Sequence, residues 1–124
     1  MGAHKIMVVD DEPDFVEILS VHLKKAGYDI VPFTNGEEAL VRIPEERPDL
    51  ILLDIKMPKM DGYTFVRHLK KNPATAAIPL IVLTSYEPMK DMFLVEGVED
   101  YFVKSFDTKP LLAMVDKLLN RGPA

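Results

Sequence analysis

Leu50-Ile51-Leu52-Leu53-Asp54 is four apolar residues in a row closed by a carboxylate. A strand with one wet face alternates apolar and polar residues, so a run without alternation suits a strand buried on both faces. Leu80-Ile81-Val82-Leu83 repeats the arrangement, opened by Pro79 and closed by Thr84-Ser85. Lys5-Ile6-Met7-Val8-Val9 runs into Asp10-Asp11, and Asp100-Tyr101-Phe102-Val103 runs into Lys104. Asp29-Ile30-Val31-Pro32-Phe33 is a further candidate. Its proline has no N–H to give a ladder, which assigns this strand to a sheet edge.

Helical patterns lie between these runs. Phe15, Ile18, Leu19, Leu23 and Ala26 form a stripe over 14–26, with Gly27 placed to end the helix. Asn35 followed three residues later by Glu38 is a helix-start signal. Ala39, Leu40 and Ile43 mark one face of that helix, which is expected to stop near Pro44. Turn chemistry from Pro58 to Gly62 precedes a helix carrying Phe65, Val66 and Leu69. A short fourth helix is expected within 87–96. The last starts near Thr108, has Pro110 in its first turn, and carries Leu111, Leu112, Val115, Leu118 and Leu119. Strands alternating with helices in this way define an α/β chain: an open parallel sheet covered by helices on both faces.

At 124 residues, 48% of them hydrophobic, the chain is one domain with a real core. That domain is expected to span 4–121, with tails at 1–3 and 122–124. There is no cysteine, hence no disulfide, zinc–thiolate or thiol chemistry. A net charge of −5 argues against direct nucleic-acid binding. No apolar run approaches a membrane span, and the N-terminus has no signal-peptide pattern, so a cytoplasmic protein is expected.

The polar residues collect where the strands end. Asp10 and Asp11 close the first strand, Asp54 the third, Thr84 the fourth and Lys104 the fifth. In an open parallel sheet these ends share one edge, where ligands bind. Each residue alone has a plain structural reading: Asp and Thr often end strands as turn or cap residues, and a single lysine is usually solvated. All of them on one edge is not what packing would select. Three clustered carboxylates repel, and a hard cation such as Mg2+ relieves the repulsion and attracts phosphate. Lys104 supplies a point charge for a phosphate, Thr84 a hydroxyl donor, and a carboxylate beside both can act as nucleophile.

These motifs resemble the receiver domain of two-component response regulators, with a chemotaxis-regulator-like fold. The resemblance rests on Val8-Val9-Asp10-Asp11-Glu12-Pro13, Asp49 to Pro58, Met60-Asp61-Gly62, Leu83-Thr84-Ser85 and Asp100 to Lys104, and covers the chain from Lys5 to about Leu119. It implies a flavodoxin-like, doubly wound (βα)5 domain with a five-stranded parallel sheet in the order 2-1-3-4-5. It implies that Asp54 is a phosphoacceptor. Asp11 and Asp54 would ligate Mg2+ directly, Asp10 through a bound water, and Lys56 through its backbone carbonyl. Thr84 and Lys104 would move to the phosphoryl group, and Tyr101 would be an aromatic rotamer switch. The donor would be a sensor histidine kinase or a histidine phosphotransfer protein. The output would be a protein partner bound by the face made of the fourth helix, the fifth strand and the last helix. A phosphorylation-dependent dimer through that face is left open.

The chain departs from the family pattern in places. Ser105 follows Lys104 where proline is usual, so a trans or strained bond and an altered loop are expected there. Thr84 to Gly97 is about two positions short, which predicts a short or irregular fourth helix. Lys56 and Tyr86 stand two residues after Asp54 and Thr84. They either screen the phosphoryl group from water and slow its loss, or face solvent. Phe102 and Phe106 read as core, and His22 and His68 as packing or surface residues. Three rivals remain. A haloacid-dehalogenase-type enzyme would need a second Asp where Lys56 stands, and a cap domain. A flavin binder would need a Ser/Thr/Gly loop where Asp-Asp-Glu-Pro stands. A pseudo-receiver would be an interaction module that is never phosphorylated.

Overall fold

The unalternating apolar runs become the middle of a parallel sheet. In this computed structural model, which describes residues 4–55, 60–84, 98–105 and 107–120, the strands are β1 (Lys5–Val9), β2 (Asp29–Phe33), β3 (Leu50–Asp54), β4 (Leu80–Thr84) and β5 (Asp100–Val103). The described helices are α1 (Pro13–Lys25), α2 (Gly36–Glu46), α3 (Gly62–Lys71) and the C-terminal α4 (Lys109–Leu119). The strand order is β2-β1-β3-β4-β5, all neighbours parallel. β2 lies at the edge, as Pro32 requires. The segment expected to form a short fourth helix, together with Lys56, Tyr86 and Phe106, lies outside the described residues.

Strand alternation splits the core in two. Met7, Val9, Ile51, Leu53, Leu80 and Val82 pack with Ala39 and Ile43 of α2 and Phe65, Val66 and Leu69 of α3. Ile6, Val8, Leu50, Leu52, Ile81 and Leu83 pack on the opposite face with Phe15, Leu19 and Leu23 of α1 and Leu111 and Val115 of α4. Every residue of β3 and β4 is buried, which is why neither run tolerates a polar residue before its end. Phe102 joins the α1/α4 core, as expected.

One boundary differs from expectation. α2 does not stop near Pro44 but continues to Glu46, with Pro44 inside it. A proline costs a helix its own N–H bond and crowds the preceding turn. Pro44 sits in the final turn, where little helix remains to lose. The end comes at Arg47, in the left-handed region at φ 48°, whose N–H donates to Ile43 O at 2.8 Å. Arg42 pairs with Glu45 and Glu46 along the same helix, and Lys5 pairs with Glu46 from β1.

α1 ends at Ala26, and Gly27 takes φ 98° to turn the chain into β2. A Cβ there would touch nothing within 4 Å, so only the backbone angle demands glycine. Gly27→Ala is therefore expected to destabilise the fold by about 1 kcal/mol, read as a lower urea midpoint with an unchanged slope.

Candidate functional site

β1 and β3 align Val9 with Leu53, and β3 and β4 align Asp54 with Leu83, so the strands end nearly level. Counting alternate positions along each strand puts Asp10, Asp54 and Lys104 on the α1/α4 side of the sheet, and Thr84 and Tyr101 on the α2/α3 side. The backbone pins each end. Asp10 N donates to Phe33 O at 3.0 Å, Ile55 N to Leu83 O at 3.3 Å, and Lys104 N to Thr84 O at 2.7 Å. Among the described residues every peptide bond is trans, Lys104–Ser105 included.

Asp10 and Asp54 are both buried, 1% and 5% exposed. Lys104 lies between them, its Nζ 2.9 Å from Asp10 Oδ2 and 3.4 Å from Asp54 Oδ1, and it also pairs with Glu12. The ammonium stands 5.2 Å from the centre of the Phe15 ring at the start of α1. Asp10 Oδ1 accepts from Glu12 N at 2.9 Å. Asp10 Oδ2 is buried without a well-directed hydrogen bond, so its contact with Lys104 is one of charge. Outside this cluster, between residues 11–15 and Lys104–Ser105, is an opening of about 660 Å³.

Burial dominates the electrostatics. It raises the Asp54 carboxyl to about 7, helped by the neighbouring Asp10 charge and opposed by Lys104. Burial also raises Asp10, against the pull of Lys104 and the Glu12 N–H. For Lys104 burial acts downward, but the carboxylates of Glu12, Asp10 and Asp54 outweigh it and leave the ammonium above its ordinary value. One cation is too little for the acids around it.

The carboxylates of Asp10, Glu12 and Asp54 offer oxygens within 4.8 Å of one another and could hold a metal ion. A buried oxygen of Asp10 without a directed donor fits such an ion. The sequence reading assigned Asp10, Asp11 and Asp54 to a metal. The structure gathers Asp10 and Asp54 but leaves Asp11 exposed and outside the group of three, near enough to push the Asp54 value up. Lys56 lies outside the described residues. Thr84 is buried at the end of β4. Tyr101 is half-buried against the α2/α3 core. Glu12 is the residue the sequence reading passed over. Its signal was its place, two residues after Asp10 and one before the proline that opens α1.

α3 fixes the rim. Asp61 Oδ1 caps it by accepting from Thr64 N at 2.8 Å, and Gly62 N donates to Ile55 O at 2.9 Å. A Cβ on Gly62 would lie 2.9 Å from Ile55 Cα and 3.2 Å from Asp54 O. Only glycine lets the helix start this close to the strand that carries Asp54.

The sequence profile of the response regulator receiver domain matches residues 6–116. The chain is 35% identical over 119 residues to the DNA-binding dual master transcriptional regulator RpaA of Synechocystis, covering 94% of this chain and 49% of that protein. It thus spans about half the length of the curated relatives it matches. Among solved structures it resembles the response regulator TrrA of Thermotoga maritima in complex with Mg2+ and BeF, with a TM-score of 0.85 and 36% identity over 94% of this chain and 99% of that one. It also resembles the chemotaxis response regulator CheY4 of Vibrio cholerae, with a TM-score of 0.87 and 28% identity over 94% and 99%. The chain belongs to the response regulator receiver domain family, the phosphorylation-activated switches of two-component signalling. The pseudo-receiver reading finds no support in these likenesses. Among the described residues no helix is long and apolar enough to cross a membrane.

Two predictions follow from this geometry. The first is a pH dependence. Unfolded, Asp54 titrates near ~3.9; folded and without a cation, it titrates at about 7. Between these values the folded state holds the extra proton, so stability falls as pH rises through the window and levels off above it. Urea unfolding of cation-free protein should show this loss, roughly 2–4 kcal/mol at most, and Asp54→Asn should flatten it. The second concerns Gly62. Gly62→Ala should cost about 1–3 kcal/mol, because the added methyl meets backbone that cannot turn aside. An unfolding midpoint equal to wild type would contradict that.

Proposed function

We propose that residues 4–121 act as one receiver module in the cytoplasm, and that Asp54 is the residue phosphorylated. The observation that carries this reading is the Lys104 ammonium, 3.4 Å from Asp54 Oδ1 and 2.9 Å from Asp10 Oδ2 in a buried acidic cluster. A buried nucleophile with a cation beside it has what an anionic phosphoryl group requires. Asp10 and Asp54 would hold Mg2+, with Asp11 and the Lys56 carbonyl completing the set that the family resemblance implies. When bound, Mg2+ would neutralise the clustered carboxylates and the phosphoryl oxygens.

The donor is a phosphohistidine on a sensor histidine kinase or a histidine phosphotransfer protein. An Asp54 oxygen attacks phosphorus, the P–O bond forms as the P–N bond breaks, and the imidazole leaves with the P–N electron pair and takes up a proton from water. For this Asp54 must be ionised, which a value of about 7 resists until a cation lowers it. Lys104 pairs with the new phosphoryl oxygens, and Thr84 donates its hydroxyl to one of them. Thr84 and Tyr101 both fall on the α2/α3 side, and β4 pairs with β5. A shift at Thr84 is therefore passed to Tyr101 through adjoining strands. The changed face around β5 and α4 then binds or releases a protein partner. The chain does no chemistry on a separate substrate.

The test is intact mass after incubation with Mg2+ and acetyl phosphate, beside Asp54→Asn. Wild type should gain one phosphoryl group and the variant none. Equal gain in both would remove Asp54 from the role.

A further inference from the structure

Glu12 occupies the N-cap position of α1 with φ −94° and ψ 102°, yet its side chain makes no capping bond. The short side chains of Ser, Thr, Asp or Asn at that position accept from the first free N–H groups of the helix, and the longer glutamate reaches past them. This one pairs with Lys104 instead. The three acidic partners of Lys104 are not equivalent. Asp10 and Asp54 are fixed at strand ends, and their side chains are 0% and 7% exposed. The Glu12 side chain is 58% exposed, with solvent beside it, while that of Lys104 is only 10% exposed. Glu12 can therefore leave the cluster without rearranging the core, and the other two acids cannot. It also lines the opening outside the cluster, together with Lys104.

We propose that Glu12 is a latch on Lys104. In the resting protein it holds the ammonium at the mouth of the site, and Lys104 must leave it to pair with a phosphoryl group on Asp54. Glu12 is a positioning residue, because its effect on Asp54 passes through Lys104. The proposal rests on the reading of Asp54 as the phosphoacceptor. Whatever the Glu12–Lys104 pair contributes to the resting state is subtracted from the affinity for the phosphoryl group. A half-exposed pair of this kind sets an effect of about two- to five-fold.

Beryllofluoride is the probe, titrated with saturating Mg2+ into wild type, Glu12→Gln and Glu12→Asp, and followed by amide chemical shifts. Glu12→Gln should bind about two- to five-fold more tightly than wild type. Glu12→Asp keeps the charge but is one methylene short of Lys104, so it should follow Glu12→Gln. If Glu12→Asp matches wild type while Glu12→Gln binds more tightly, the effect is general charge repulsion and the latch is overturned. Three equal affinities overturn it too. A second arm needs no cation. Urea unfolding of Glu12→Gln, Lys104→Met and the double variant should be non-additive, and additivity overturns the resting pair. A wild type that takes no beryllofluoride sinks the Asp54 reading. Coupling in the second arm would then leave a resting ion pair with no phosphoryl to release it, which overturns the latch as well.

Discussion

Two carboxylates buried side by side at the end of a parallel sheet share one ammonium, and much of the structure serves that arrangement. Asp10 and Asp54 sit at neighbouring strand ends because β1 and β3 pair in level register, and alternate-position counting turns both to the α1/α4 side. Lys104 arrives from β5, across the intervening β4, held by its own N–H on Thr84 O. The β4 residue in register with Asp54, Leu83, lies on that face as part of its apolar core. Thr84, the last residue of β4, falls on the other one. The ammonium therefore reaches over β4 toward Asp54, where its flexible stem suits it better than a rigid planar guanidinium would.

Such a cluster is costly to fold, and the surrounding chain offsets the cost locally. The two apolar cores hold the strand ends in place. Gly62 lets α3 start within van der Waals reach of Asp54's own backbone, so the strand end cannot drift outward. The start of α1 presents Phe15 to the ammonium and a backbone N–H from Glu12 to Asp10. What these contacts leave is an acidic surplus, expressed in the raised values of Asp10 and Asp54.

Much of this was legible in the sequence because burial on both faces leaves a plain mark. Leu50 to Leu53 and Leu80 to Leu83 admit no polar residue, so Asp54 and Thr84 stand out as ends. Pro32 gave the edge. The residues after each run then pointed to one edge, where the structure gathers Asp10, Asp54 and Lys104, since strand ends in a parallel sheet lie together. Glu12 was not legible in this way. Its position announces a helix cap, and nothing in the local pattern says that its carboxylate will turn to a lysine from β5. That pairing is a tertiary fact, made across 92 positions of chain. Pro44 failed for the opposite reason. A local rule stops helices at proline, but the rule loosens in a last turn whose packing is already complete at Ile43.

The charge balance at this edge also bears on what an anion would meet there. Asp10, Glu12 and Asp54 face a single ammonium, with Asp11 adding its field from outside. Bringing a phosphoryl group into that field would add like charge to like, so an anion cannot enter first without help. Moving Lys104 toward an incoming anion would in turn strip Asp10 of its sole counter-charge among the described residues. A second cation held among the carboxylates would relieve both obstacles. Such an ion would lower the potential that the anion meets and would stand in for Lys104 beside Asp10. One lysine against three gathered acids repels phosphate alone, and counting charges within a few ångströms makes a divalent ion the group that would reverse that balance.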